Sequence, residues 1–351
     1  MGRRAVIGLV GLAVFAGIIA LAAVPLMSST AVAVKPSPSG PLKVVPRELS
    51  LPDPRGADRP AIAVRIWSPK ETASALAYPL IVYIPAWGGS RDENDVLLSD
   101  IASEGFVVAA LDDVSRDPPD PALDPVDDAV RLAPFPAQNV AAFPEVSERR
   151  TRLGYGKQMR LLEALTHLPS GTPVAAIDFS RIGIVGFSFG GAVATVMLAK
   201  DPRIAAAVNL DGWVVHTPAA AGLTHPYLAL YGKVDFRPFL VRIGVSKKDL
   251  SGSRDDFRAL LALSRSSGSE VHLIDGVGHT DFSDRLYEAG RWKRWRPWRM
   301  NIIQPDRMHA IVEAYLIPFL QEHVAGQTPA SSARPAFAEV SSIESIESEL
   351  Q

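Results

Sequence analysis

The sequence has 351 residues, of which 47% are hydrophobic and 21% are charged, a composition typical of a globular protein with one large core. Its 36 Lys and Arg residues against 38 Asp and Glu residues give a formal net charge of −2, which argues against a nucleic-acid-binding protein. Cysteine is absent, which excludes both a disulfide framework and a lipid-bearing cysteine.

The first 33 residues have the layout of an export signal. The basic start "MGRR" is followed by an uncharged apolar run from Ala5 to Met27, and "AVA" at residues 31–33 provides a small-x-small cleavage site. The apolar run is also long enough for an uncleaved membrane anchor, which needs about 20 residues. Residues 1–33 are therefore predicted to be a signal peptide or an N-terminal anchor. Either one places the globular part in a secreted, periplasmic or cell-envelope location.

The rest of the chain divides into a folded domain and two flanks. Residues 34–55 are predicted to be an extended lead-in rich in Pro and Ser, and residues 326–351 a C-terminal tail, which leaves 56–325 as the domain. Apolar runs alternate there with helical patterns, which predicts an α/β fold with a mostly parallel central sheet and helices on both faces. The predicted strands are "AIAVRIW", "YPLIVYIP", "GFVVAALD", "RIGIVGF", "IAAAVNLD", "PYLALYG" and "EVHLIDG". The predicted helices are Asp95–Ser103, Val146–His167, Gly190–Lys200, Asp255–Ser264 and the final stretch "DRMHAIVEAYLIPFLQEHV".

The fourth predicted strand ends in "GFSFGG", where Ser188 stands between Gly186 and Gly190. A strand that turns sharply into a helix needs small neighbours on both sides of its apex, and a helical stretch, "GAVATVMLAK", follows directly. The G-x-S-x-G spacing resembles the nucleophile elbow of α/β-hydrolases. Ser188 is therefore the predicted nucleophile.

A serine nucleophile requires a histidine base, which in this fold comes last along the chain. His279 follows the last predicted strand, in "GVGHTDFSD", and is the predicted base. The other histidines lie in predicted helices, a strand or a loop.

Two aspartates can serve as the acid that orients His279. Asp211 ends one predicted strand in "NLDGW", and Asp235 follows the next in "LYGKVDF". Neighbouring strand ends lie only about 5 Å apart, so either carboxylate can reach the histidine. The spacing does not decide which of the two aspartates is the acid.

The segments "YPLIVYIPAWGG", "IASEGFVVAALD", "GFSFGGA", "NLDGW" and "GVGHTDFSD" occur in this order between Tyr78 and Val324. Together they resemble the platelet-activating factor acetylhydrolase group of α/β-hydrolases. The resemblance assigns the acid to Asp211 and the base to His279. A weaker resemblance to cutinase-like polyester hydrolases would assign the acid to Asp235. Dienelactone hydrolases are not favoured, because their nucleophile is a cysteine.

Two backbone amides are predicted to stabilise the oxyanion. One is that of Phe189, directly after the nucleophile. The resemblance assigns the other to Trp87, although Pro85-Ala86 stands where the acetylhydrolases usually have His-Gly. The side chains of Trp87, Phe189 and Trp213 are then predicted to form the walls of an apolar substrate pocket.

Two further segments have unusual compositions. Seven aspartates lie in the segment from Asp112 to Asp128, both included. The prolines interspersed among them favour a solvated acidic loop over a calcium site. The basic stretch "RWKRWRPWR" holds Trp292, Trp295 and Trp298, which suggests contact with a membrane or lipid surface.

The sequence thus predicts an exported serine hydrolase of carboxylic esters that uses no cofactor and no metal. The resemblance implies lipid-like or short-acyl substrates, of the acetylhydrolase or phospholipase A2 type. A cutinase-like polyester or aryl-ester hydrolase is one alternative. A non-catalytic lipid-binding envelope protein with a hydrolase fold is another.

Overall fold

A nine-stranded sheet lies at the centre of the residues that the computed structural model describes. Those residues are 34–70, 77–135, 143–169, 171–214, 223–233, 258–266, 268–288, 303–328 and 334–345. The strands are β1 (Val44–Leu51), β2 (Ile62–Pro69), β3 (Tyr78–Ile84), β4 (Val107–Ala110), β5 (Ile177–Phe187), β6 (Ile204–Leu210), β7 (Tyr227–Gly232), β8 (Glu270–Ile274) and β9 (Val340–Ser342).

The sheet has the strand order β1-β2-β4-β3-β5-β6-β7-β8-β9. The six strands from β3 to β8 are parallel to one another, whereas β1 and β2 at one end and β9 at the other pair antiparallel. The predicted mostly parallel sheet is therefore confirmed, and all seven predicted strands are present. Their continuous apolar runs are typical of strands that are buried on both faces.

Helices cover both faces of the sheet. They are α1 (Asp95–Ser103), α2 (Pro125–Leu132), α3 (Phe143–Thr166), α4 (Phe189–Lys200), α5 (residues 258–264), α6 (Arg285–Glu288) and α7 (Pro305–His323). Alternate residues of a strand point to opposite faces. Leu80 and Val82 of β3 accordingly belong to a core that includes α3 and α4, and Ile81 and Tyr83 to a second core that includes α1 and α7. Two cores on one sheet hold the strand ends in fixed positions.

The sequence analysis missed four of the described elements: the edge strands β1 and β9 and the helices α2 and α6. The predicted lead-in contains β1, which pairs along its whole length with β2, and the predicted tail contains β9, which pairs with β8. Both are edge strands with few buried residues, so their sequences lack a continuous apolar run. Helix α2 lies within the aspartate-rich segment, where Asp124 caps its first turn.

Among the described residues, no helix has the length and apolar character needed to cross a bilayer. Residues 1–33, with the predicted signal or anchor, lie outside the described part of the chain.

Candidate active site

The turn between β5 and α4 forces Ser188 into a strained backbone conformation, with φ of 57° and ψ of −119°. Such a conformation costs about 1–3 kcal/mol and persists only where the surroundings impose it. Here the two arms of the turn are in close contact. A Cβ atom on Gly186 would collide with the carbonyl of Gly190, and one on Gly190 would collide with the carbonyl of Ile84. The predicted strand-turn-helix around Ser188 is present.

Ser188, His279 and Asp211 meet at the carboxyl ends of β5, β8 and β6. His279 Nε2 lies 2.8 Å from Ser188 Oγ, and His279 Nδ1 lies 2.5 Å from Asp211 Oδ2. The other carboxylate oxygen, Asp211 Oδ1, accepts a hydrogen bond of 3.0 Å from the Gly232 amide. The structure thus brings together the three residues that the resemblance assigned. The alternative acid, Asp235, lies outside the described residues.

Asn209, which the sequence analysis missed, fixes the turn that carries Asp211. Asp211 has φ of 56°, in the left-handed region, where aspartate is tolerated better than most side chains. The buried Asn209 side chain accepts from the Gly212 amide at 2.7 Å and donates to the Gly212 carbonyl at 2.9 Å. This double hydrogen bond holds the backbone directly after Asp211.

The surroundings of His279 change the pKa of its imidazole. Burial lowers its pKa, but the hydrogen bond and the charge of Asp211, together with the charge of Glu93, outweigh burial and raise the pKa above its ordinary value. The side chain of Asp211 is only 6% exposed, so its charge is weakly screened, whereas that of His279 is 43% exposed. The imidazole is therefore accessible from solvent and is a stronger base than a free histidine.

Two acidic side chains fix the loop after β3, one on each side of Trp87. The Ala86 amide donates to Glu93 Oε1 at 2.6 Å, and the Gly88 amide donates to Asp113 Oδ2 at 2.9 Å. Neither the Trp87 amide nor the Phe189 amide donates to a protein group within the described residues. Both amides that were predicted to stabilise an oxyanion are thus available to a ligand.

Neither acid could be assigned from the sequence, because each acts through a tertiary contact. Burial raises the pKa of Glu93 to about 7, even though the Ala86 amide and the Tyr83 hydroxyl donate to its carboxylate. Asp113 forms a fully buried ion pair with Arg150, whose guanidinium lies 4.0 Å from the centre of the Trp87 ring. Arg150 therefore supports Trp87 through both its charge and its stacking.

Five aromatic rings form a closed circuit of contacts beside Ser188. The circuit runs from Trp87 through Phe135, Phe143, Trp213 and Phe189 back to Trp87. Along it, the centroids of neighbouring rings are 5.5, 5.8, 5.2, 6.1 and 5.7 Å apart. The three predicted pocket residues are brought together, and Phe135 and Phe143 join them. Phe135 is 49% exposed, which leaves one side of the circuit open to solvent.

The aspartate-rich segment differs from the predicted solvated loop. Asp113 is buried in its pair with Arg150, and Asp117 pairs with the buried Lys157. Asp112, Asp120, Asp127 and Asp128 each pair with at least one arginine. Much of the segment is exposed to solvent, but its carboxylates pair with basic side chains, several of which come from α3.

Comparison with known proteins identifies the family. The model of the dienelactone hydrolase family matches residues 62–239, just over half of the chain. The chain belongs to the dienelactone hydrolase family. The expectation that this family is unlikely, because its nucleophile is a cysteine, was therefore wrong: the match includes position 188, where this member has a serine. A second model, platelet-activating factor acetylhydrolase, isoform II, matches residues 173–329, which include Ser188, Asp211 and His279.

Two individual proteins are also similar to this chain. The platelet-activating factor acetylhydrolase of Cavia porcellus is 28% identical over 160 residues, which cover 39% of this chain and 35% of that protein. The chain thus matches about a third of the length of this relative. The structure of a ferulic acid esterase from Streptomyces cinnamoneus covers 89% of this chain and 99% of its own, with a TM-score of 0.60 and 21% identity. With the sheet topology, this likeness establishes the α/β-hydrolase fold, and the acetylhydrolase resemblance is confirmed.

Proposed function

We propose that this protein is a serine hydrolase of carboxylic esters that acts through an acyl-enzyme. The observation that carries the proposal is the pair of contacts made by His279: its Nε2 lies 2.8 Å from Ser188 Oγ, where it can accept the hydroxyl proton, and its Nδ1 lies 2.5 Å from Asp211 Oδ2, to which it can donate. A serine hydroxyl is a weak nucleophile at neutral pH unless a base of this kind accepts its proton. Membership in a hydrolase family supports the same conclusion.

In the proposed first step, Ser188 Oγ attacks the ester carbonyl and His279 Nε2 accepts its proton. The negative charge that develops on the carbonyl oxygen is stabilised by the amides of Trp87 and Phe189, each of which contributes about 3 kcal/mol to such a site. The alcohol then departs with the proton from His279. Water, deprotonated by His279, attacks the acyl-enzyme in the same way and releases the acid. Asp211 orients the imidazole and stabilises its charged form throughout.

The proposed substrates are lipid-like or short-acyl esters, as for an acetylhydrolase or a phospholipase A2. The five-ring aromatic circuit beside Ser188 supports an apolar acyl group. The similarity to an acetylhydrolase supports a short acyl group. Cutinase-like polyester or aryl-ester hydrolysis is the second candidate, which the aromatic side chains beside Ser188 also favour.

The chain-length dependence of hydrolysis distinguishes these substrates. We expect kcat/KM for p-nitrophenyl esters, from acetyl to palmitoyl, to be highest between acetyl and butyryl. Methyl ferulate and a soluble polyester fragment are measured in parallel. An optimum at palmitoyl would contradict the short-acyl assignment, and faster hydrolysis of methyl ferulate or of the polyester fragment would support the second candidate. No turnover of any ester by the folded protein would favour the non-catalytic lipid-binding alternative.

We further propose that the protein is exported and that it contacts lipid surfaces through Trp292, Trp295 and Trp298. Both proposals rest on sequence alone, since residues 1–33 and 289–302 lie outside the described part of the chain. Three tryptophans among basic residues suit the boundary of an anionic bilayer. In flotation with vesicles containing anionic lipid, the protein should float, and a variant with all three tryptophans changed to alanine should not. Equal flotation of the two proteins would contradict this contact.

A further inference from the structure

A second group of chemically reactive side chains lies where α1 packs against α7. It consists of Asp100 from α1 and of His309 and Glu313 from α7, and one donor atom from each lies within 4.8 Å of the others. His309 Nε2 is 3.8 Å from Asp100 Oδ2 and 3.7 Å from Glu313 Oε2. The four-residue spacing of His309 and Glu313 places both on one face of α7. None of the three belongs to the proposed catalytic triad or to the loop around Trp87.

One oxygen of the buried Asp100 carboxylate has no hydrogen-bond partner within the described part of the chain, which indicates that the three side chains hold a ligand. The Asp100 side chain is only 1% exposed. The Oδ1 atom accepts hydrogen bonds from the Ser39 amide at 2.6 Å and the Ser39 hydroxyl at 2.8 Å, whereas the buried Oδ2 atom has no hydrogen-bond partner among the described residues. At 3.8 Å, His309 is too distant to donate a hydrogen bond. A buried carboxylate oxygen without a partner is unfavourable, so a ligand of positive charge is expected there.

The surroundings of the group add further negative charge. Glu104, at the C-terminal end of α1, has a raised pKa, chiefly because of burial and then because of the charges of Asp100 and Glu313. Its side chain accepts a hydrogen bond from the Gln321 amide rather than pairing with a basic residue. A divalent ion between the three donor atoms would balance two of these three negative charges.

We propose that Asp100, His309 and Glu313 bind a divalent transition-metal ion, and that this ion is Zn²⁺. One imidazole and two carboxylates are a donor set that suits Zn²⁺, whereas Ca²⁺ takes six to eight oxygen ligands. Donor atoms at about 2.1 Å from a tetrahedral zinc are separated by about 3.4 Å, so the observed distances need only small side-chain movements to close on the ion. Water completes the coordination.

The bound ion has a structural role. Asp100 is connected through Ser39 to the segment before β1, so the ion would join that segment, α1 and α7 at one point. Asp100 is separated from His309 and Glu313 by more than 200 residues, which is why no sequence motif indicates the site. An ion that binds only the folded protein raises its Tm in proportion to the logarithm of the ion concentration.

Isothermal titration of the EDTA-treated, dialysed full chain with Zn²⁺ tests this proposal, with Co²⁺ absorption as a second readout. We expect one Zn²⁺ per chain, a Tm that rises with Zn²⁺, and the visible absorption of tetrahedral Co²⁺. His309→Ala should weaken binding by more than about a hundredfold, beyond the roughly 10–100-fold lost when a residue that only supports a ligand is removed. The matched control is His323→Ala, which removes another histidine of α7 and should bind as the unchanged protein does.

Two further variants distinguish the loss of a metal ligand from misfolding and from zinc binding at the proposed triad. Glu313→Gln preserves the volume of the side chain and replaces His309→Ala if that variant does not fold. His279→Ala removes the histidine of the proposed triad and should leave Zn²⁺ binding unchanged. Absence of a one-to-one Zn²⁺ complex would overturn the proposal, as would binding that survives both His309→Ala and Glu313→Gln or is lost equally in His323→Ala.

Discussion

Ser188→Ala is expected to lower kcat for p-nitrophenyl acetate by about a millionfold, because loss of a serine nucleophile removes the whole acyl-enzyme route. The residual rate should remain about 10³–10⁴ above that in water, since binding and the amides of Trp87 and Phe189 are retained. The measurement is initial-rate hydrolysis by the purified variant, with circular dichroism to establish that it is folded.

The matched control for Ser188→Ala is Ser180→Ala. Ser180 lies on the same strand, β5, but on an exposed part of it, where its hydroxyl bonds to Asp178. This variant should hydrolyse the ester at the unchanged rate. A Ser188→Ala protein that kept a tenth of the original kcat would contradict the assignment of the nucleophile.

Asp211→Asn is expected to lower kcat by about 10⁴-fold, because an amide in place of the carboxylate favours the wrong tautomer of His279 and cannot stabilise its charged form. The carboxylate is almost fully buried and lies 2.5 Å from His279 Nδ1, so its charge acts on the imidazole with little screening by solvent. Asp235→Asn is the control, and it should change kcat little. Reversed magnitudes for the two variants would assign the acid to Asp235.

The pH profile separates loss of orientation from loss of structure in Asp211→Asn. The ester is attacked only when His279 is neutral, so kcat/KM should fall as the pH decreases through the pKa of His279. Asp211 raises that pKa above its ordinary value. In Asp211→Asn the pKa should therefore drop, and the acidic limb of the profile should move to lower pH. An acidic limb that stays in place would indicate that the variant acts through the fold alone.

The central part of the fold could be predicted from sequence because its strands are buried on both faces. Strands such as β3 and β5 have continuous apolar runs, and the strand-turn-helix at Ser188 requires glycines at fixed positions. The edge strands β1 and β9 are only partly buried, so their patterns carry no comparable signal. Local sequence thus specifies the buried sheet better than its edges.

The residues that hold the site residues in place could not be predicted from the sequence. Glu93, Asp113 and Asn209 each bind a backbone amide beside a predicted site residue, but nothing in their local sequence distinguishes them from solvated polar residues. Phe135 and Phe143 likewise reach the aromatic circuit only through tertiary packing. The choice between Asp211 and Asp235 came from resemblance, since both follow strands whose ends lie close together.

Covalent labelling with a fluorophosphonate tests the role of Ser188 most directly, because this reagent phosphonylates a serine activated by a neighbouring histidine and needs no knowledge of the substrate. Intact-mass measurement of the full chain should show a single adduct, which peptide mapping places on Ser188. The adduct should be absent in Ser188→Ala and formed far more slowly in His279→Ala. A folded protein that forms no adduct, or forms it on another residue, would contradict a serine nucleophile at this position.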